Sequence, residues 1–132
     1  MSDPPVRPAI DETVYLSTLQ GSYTAGSPAT CAVALARILA LRQPVACDIE
    51  SFGLGLDGRR IKCVSFASTT EAVVCDPRAP AGADLVRRMF AAAGQLVFHN
   101  SAFDVPNLFA SKLISLADVA KVVDTLIYAR LT

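Results

Sequence analysis

The sequence has no net charge with which to attract a polyanion. Twelve Lys and Arg balance twelve Asp and Glu, so nothing in the total predicts nucleic-acid binding, and any such partner must be recruited locally. It also lacks a membrane-length apolar run. The most apolar stretch, Cys31 to Leu41, is too short for a bilayer and carries Arg37 in its middle. Met1 to Arg7 shows no signal-peptide pattern, and the expectation is a soluble, cytoplasmic protein. The cysteines at 31, 47, 63 and 75 have no C-x-x-C spacing, and each sits in an apolar run. That argues against structural zinc, indicates no disulfide, and predicts thiols that pack as small hydrophobes. What is present suits one globular unit: 132 residues, 52% hydrophobic and 18% charged, exclude a disordered chain.

Pro4, Pro5 and Pro8 remove backbone donors, so residues 1–11 read as a flexible tail and 12–132 as the domain. Thr13 to Leu19, β-branched and apolar and closed by Gly21, predicts a first strand. Ser27-Pro28 is a helix start, with Ser27 as cap and Pro28 where a missing N–H costs nothing. That helix should run to about Arg42, before Pro44. Val45 to Glu50 predicts the central strand, and the glycines at 53, 55 and 58 a turn. Gly55 to Gly58 is a weak phosphate-loop candidate without a following Gly-Lys-Ser/Thr, and a hairpin turn suits it better. Residues 61–67 and 72–75 predict two strands that continue an antiparallel meander. Leu85, Val86, Met89 and Phe90 give residues 83–93 an amphipathic helical pattern, with Arg87 and Arg88 on its solvated face. Gln95 to Phe98 is a short strand, and Ser115 to Asp118 a capping box. The fold class is α/β, a mixed sheet of about five strands flanked by helices.

The chemistry concentrates in two places. In Asp48-Ile49-Glu50, alternation along a strand aims both acids to one face, about 7 Å apart. Paired carboxylates repel unless protonated or bridged by a cation, and hard ions such as magnesium or manganese suit them. A solvated strand end would use the same residues. The second place is His99-Asn100-Ser101-Ala102-Phe103-Asp104, at a strand-to-helix junction where α/β sheets commonly build sites. There Asn100 could cap the next helix, and the helix dipole favours Asp104 in a first turn. Pro106 is tolerable only near the helix start and fixes Asp104 close to the junction.

Asp48-Ile49-Glu50 resembles the D-x-E motif of the DnaQ-like, or DEDD, 3'-5' exonucleases, and Asn100 to Asp104 their N-x-x-[F/Y]-D motif. Val123-Asp124-Thr125-Leu126 resembles the D-T-L/M segment that follows, as in the proofreading domains of family A DNA polymerases. The resemblance implies a ribonuclease H-like fold and hydrolysis of terminal phosphodiesters with two Mg2+ or Mn2+ ions. It implies Asp48, Glu50 and Asp104 as catalytic metal ligands, and Ser51, Leu54, His99, Asn100 and Phe103 as substrate contacts. The implied partner is the 3' end of single-stranded DNA, with a polymerase domain in the parent chain. The third motif, which adds a fourth acid, has no match before Thr132. Reading His99 to Asp104 as that motif would leave nothing to serve as the second. Asp118 fits a cap, Asp124 a cap or tether, and Tyr128 packing in an amphipathic helix. The expectation is therefore a C-terminally incomplete domain of low activity, with one sheet face uncovered and able to dimerise. The alternative is a non-catalytic domain that binds nucleic-acid ends or a protein.

Overall fold

The computed structural model describes residues 22–52 and 61–131; the expected tail, first strand, glycine turn and Leu54 lie outside them. In chain order the elements are β1 (Ser22–Ala25), α1 (Pro28–Ala40), β2 (Val45–Ser51), β3 (Ile61–Ala67), β4 (Glu71–Cys75), α2 (Pro80–Ala92), β5 (Leu96–Phe98), α3 (Ser101–Ala110), α4 (Leu116–Val119), β6 (Val122–Asp124) and α5 (Thr125–Leu131). Six strands form one sheet in the order β1-β4-β3-β2-β5-β6, where the sequence suggested about five. The additions are both parallel edges: β1 on β4 and β6 on β5. The expected meander β2-β3-β4 is antiparallel, and β5 joins β2 in parallel.

Alternation decides the two faces. Val45, Cys47 and Ile49 of β2 are buried, as are Val64 and Phe66 of β3 and Val73 and Cys75 of β4. On them lie α1, through Cys31, Ala34, Leu35 and Ile38, and α2, through Leu85, Val86, Met89 and Phe90. The Phe90 ring sits 5.1 Å edge-on from Phe66 and 6.4 Å from Phe98, which pins α2 across the sheet centre. The opposite face, with Ala46, Asp48 and Glu50 against Ala67, Ser65 and Cys63, is exposed or half-buried. Among the described residues this is the more open face of the sheet.

Local signals explain the helix ends. The Ser27 hydroxyl accepts from the Thr30 N–H at 3.3 Å, with Pro28 following. α1 ends at Ala40 rather than near Arg42, which has φ 51°. α2 begins three residues before the expected Ala83, because Pro80 supplies a preset first-turn φ. Gly82 packs so closely on the Asp76 carbonyl that an added Cβ would collide with it. Lys121 donates from Nζ to the carbonyls of Phe90, Ala91 and Ala93, closing the C-terminus of α2. The Ser115–Asp118 capping box forms in both directions, over a single turn. Two expectations fail. Cys63 is only half-buried because it lies on the open face, and Tyr128 is 60% exposed on α5, a helix that buries no residue.

Candidate active site

Asp48 and Glu50 stand on the open face of β2, exposed, while Cys47 and Ile49 between and beside them are buried. The strand thus presents both carboxylates to one side, as the D-x-E spacing predicts. Asp104 arrives from the first turn of α3 and is buried, 4% exposed. It lies close to Asp48, which disfavours its charge, and to the Ile49 backbone N–H, which favours it. One of its oxygens, Oδ2, is buried with no hydrogen-bond partner. Burial first, then the Asp48 charge, push the Asp104 carboxyl up to about 7, with Asp124 adding to the effect.

An orphaned carboxylate oxygen facing a second carboxylate is the environment a divalent cation relieves, since it satisfies the lone pair and cancels the repulsion. The residues present therefore fit a hard metal ion at Asp48 and Asp104. Among the described residues, no three Asp, Glu, His or Cys side chains converge as a ready-made cage. Burial pushes Cys47 and Cys75 up to about 12, which suppresses the nucleophilic thiolate.

α3 is held in place from a distance. Asp124, at the end of β6, accepts at Oδ1 from the N–H groups of Asn100 (3.0 Å) and Leu126 (2.9 Å). At Oδ2 it accepts from the Ser101 N–H (2.8 Å) and hydroxyl (2.7 Å). The Ser101 hydroxyl foremost, then the three N–H groups, hold its carboxyl well below the usual range. Asn100 is not the cap its position suggested. It occupies the left-handed region (φ 69°, ψ 57°) and its side chain makes no capping bond, because Asp124 takes that role. Sequence reasoning placed Asp124 at the last helix only; it serves α3 and α5 together. Asp118 is equally committed, to Ser115 and to Lys121 at 3.3 Å.

His99 lies exposed beside this junction, with Nδ1 2.9 Å from the Thr125 hydroxyl, which itself donates to the Phe98 carbonyl at 3.2 Å. A hydroxyl has one proton, so Nδ1 is the donor to Thr125. Ser51 ends β2, half-buried, next to Glu50. Phe103 is partly buried against the core. Asn107, which the sequence did not single out, is buried and donates to the Phe103 carbonyl at 2.8 Å. Pro106 falls inside α3, not at its start. A cleft of about 470 Å³ runs between α3, β6 and α5 and is lined by Ser101, Val105, Asp124 and Arg130, but not by Asp48, Glu50 or Asp104.

No family model and no curated protein sequence matches this chain. Solved structures do. The catalytic core of RRP6 from Trypanosoma brucei matches with a TM-score of 0.61 and 18% identity, over 83% of this chain and 30% of that one. RNase D from the same organism matches with 0.55 and 18%, over 68% and 34%. The Nibbler EXO domain of Aedes aegypti matches with 0.57 and 9%, over 85% and 56%. This chain thus spans from under a third to just over half the length of these proteins. At such identities the likeness speaks for architecture alone, and with the six-stranded mixed sheet it gives this chain a ribonuclease H-like α/β fold.

Proposed function

We propose that this domain is a metal-dependent 3'-5' exonuclease that trims single-stranded nucleic acid. The Asp48–Asp104 pair carries the assignment: two carboxylates close together, one of them buried with an unpartnered oxygen. Mg2+ or Mn2+ held there, two ions in a complete site, would supply Lewis-acid activation of water and stabilisation of charge on the phosphoryl group. Asp48 and Asp104 would bind it, with Glu50 on the same face completing the donor set. Ser51, Leu54, His99, Asn100 and Phe103 would position the strand end. The likeness of the motifs to family A proofreading domains favours a DNA 3' end and a polymerase-bearing parent chain. A matching structure is RNase D complexed with RNA, so both polymers belong in the test. Self-association through the open sheet face is part of the same proposal, and sedimentation at several concentrations reads it.

The test is Mn2+ calorimetry on the wild type and Asp48→Ala, with a cleavage assay on 3'-labelled DNA and RNA oligonucleotides. Wild-type binding that vanishes in Asp48→Ala, with slow release of mononucleotides, is expected, because Asp118 and Asp124 are engaged in caps and no three acids converge among the described residues. Absence of metal binding in both proteins would sink the assignment. One observation favours a second reading: no three ligands converge among the described residues. Metal and oligonucleotide binding without cleavage would assign a non-catalytic domain that holds nucleic-acid ends.

A further inference from the structure

Folding sorts four cysteines that have no close spacing in sequence into one pair and two single thiols. The first turn of α1 packs beside the end of β4, which sets the Cys31 sulfur 3.5 Å from the Val74 carbonyl oxygen, in the peptide group that leads into Cys75. The Gly26 carbonyl lies 3.9 Å from the same sulfur. Both residues are 2% exposed, and both thiols are free. Burial first, then the nearby Cys31, keep Cys75 protonated at neutral pH. Neither remaining cysteine can take a place in the pair. Cys63 lies on the open face of the sheet, and Cys47 stands on β2, two strands from β4 and about 10 Å across the ladder. The pair is not sealed in the core. Cys31 and Cys75 line a cavity of about 220 Å³ whose walls also include the exposed residues Gly26, Pro28, Asp76 and Ala79.

Thiols buried singly only fill space, whereas two that share an opening to solvent can be joined. The cavity selects the oxidant. It holds a few water-sized molecules, so a small neutral hydroperoxide enters it and a peptide disulfide does not. We infer that Cys31 and Cys75 form a redox site, a dithiol that hydrogen peroxide entering this cavity converts reversibly to a disulfide. The attack falls to Cys31, since Cys75 holds its proton. The Cys31 sulfur bonds to one peroxide oxygen as the O–O bond breaks, giving a sulfenic acid, and the other oxygen leaves as water. The Cys75 sulfur then displaces the sulfenic oxygen as a second water and closes the S–S bond. Two thiols and one peroxide thus yield one disulfide and two waters; the two electrons lost by sulfur reduce the peroxide, and the two thiol protons leave in the waters. A dithiol reductant restores both thiols by exchange. The bond ties α1 to β4, and its formation is independent of the metal and nucleic-acid reading of the other face.

The test treats the full chain with hydrogen peroxide while folded, then unfolds it in guanidinium chloride with iodoacetamide and weighs it. Untreated protein takes up four carbamidomethyl groups. Treated protein should take up at least two fewer, with peptide mapping finding Cys31 joined to Cys75 and dithiothreitol restoring both thiols. Cys63→Ser should keep the crosslink. Cys75→Ser, its fold checked by circular dichroism, should lose it and hold Cys31 as a sulfenic acid that dimedone traps. If Cys31 and Cys75 are both alkylated in wild-type protein at peroxide doses that oxidise the half-buried Cys63, or if either is bridged to Cys47 or Cys63, the redox site is wrong. That mapping decides the matter even if the serine variant does not fold.

Discussion

Asp104 carries opposed demands: it is buried beside another acid, yet the metal-binding role proposed for it requires it to be ionised. Its folded pKa of about 7 lies above the ordinary 3.8. The folded state therefore holds a proton that the unfolded chain has lost between these values, and stability must fall as pH rises through that window. At 1.36 kcal/mol per unit the full penalty above pH 7 has an upper bound of about 4 kcal/mol. We expect metal-free protein to lose stability to urea between pH 4 and 7, and Asp104→Asn to flatten that dependence and gain about 1–3 kcal/mol at pH 8. A wild-type profile flat over this range would contradict the buried, coupled carboxyl. The D-x-E pair and Asp104 were legible from the sequence because strand alternation and a junction fix directions locally. The orphaned oxygen was not, since it depends on where α3 rests against β2.

At the scale of elements, one side chain joins three of them. Asp124→Ala removes four hydrogen bonds from the starts of α3 and α5, and should cost about 2–4 kcal/mol in denaturant unfolding. Asp124→Asn, which keeps an acceptor, should cost less. The Asp124 carboxyl is held low by these donors, so its contribution is present above the unfolded value of 3.8 and is lost as pH falls below it. Gly82→Ala should be among the most damaging substitutions in α2, by about 1–3 kcal/mol, because the new Cβ meets backbone rather than a movable side chain. The Ser27 and Ser115 caps were readable because each closes within three residues. The Asp124 cap spans more than twenty residues, and nothing in the local pattern around Asn100 shows that its donors are satisfied from β6.

For the whole molecule, a cation that relieves the Asp48–Asp104 pair binds the folded state alone and must stabilise it. At a hundred times its Kd the gain is about 2.7 kcal/mol, a rise in Tm on the order of 10 °C. Mn2+ should produce this in the wild type and not in Asp48→Ala, and thermal melts at graded Mn2+ would show it without any cleavage assay. Among the described residues no helix is long and apolar enough to cross a membrane, which agrees with the absence of such a run in the sequence.

The sequence by itself determined the meander β2-β3-β4, the helical faces of α1 and α2, and the side of β2 from which Asp48 and Glu50 project. These follow from period-2 and period-3.6 patterning and from caps that act over a few residues. Tertiary structure alone decided the parallel edges β1 and β6, whose three or four residues carry too little pattern to stand out and form only against a finished neighbour. It also decided that Asp124 caps α3 and α5 together, that Lys62 faces Phe52, and that Asp104 meets Asp48. Each of these depends on two segments distant in sequence being brought within hydrogen-bond or ring-contact distance, a constraint set by packing rather than by local propensity.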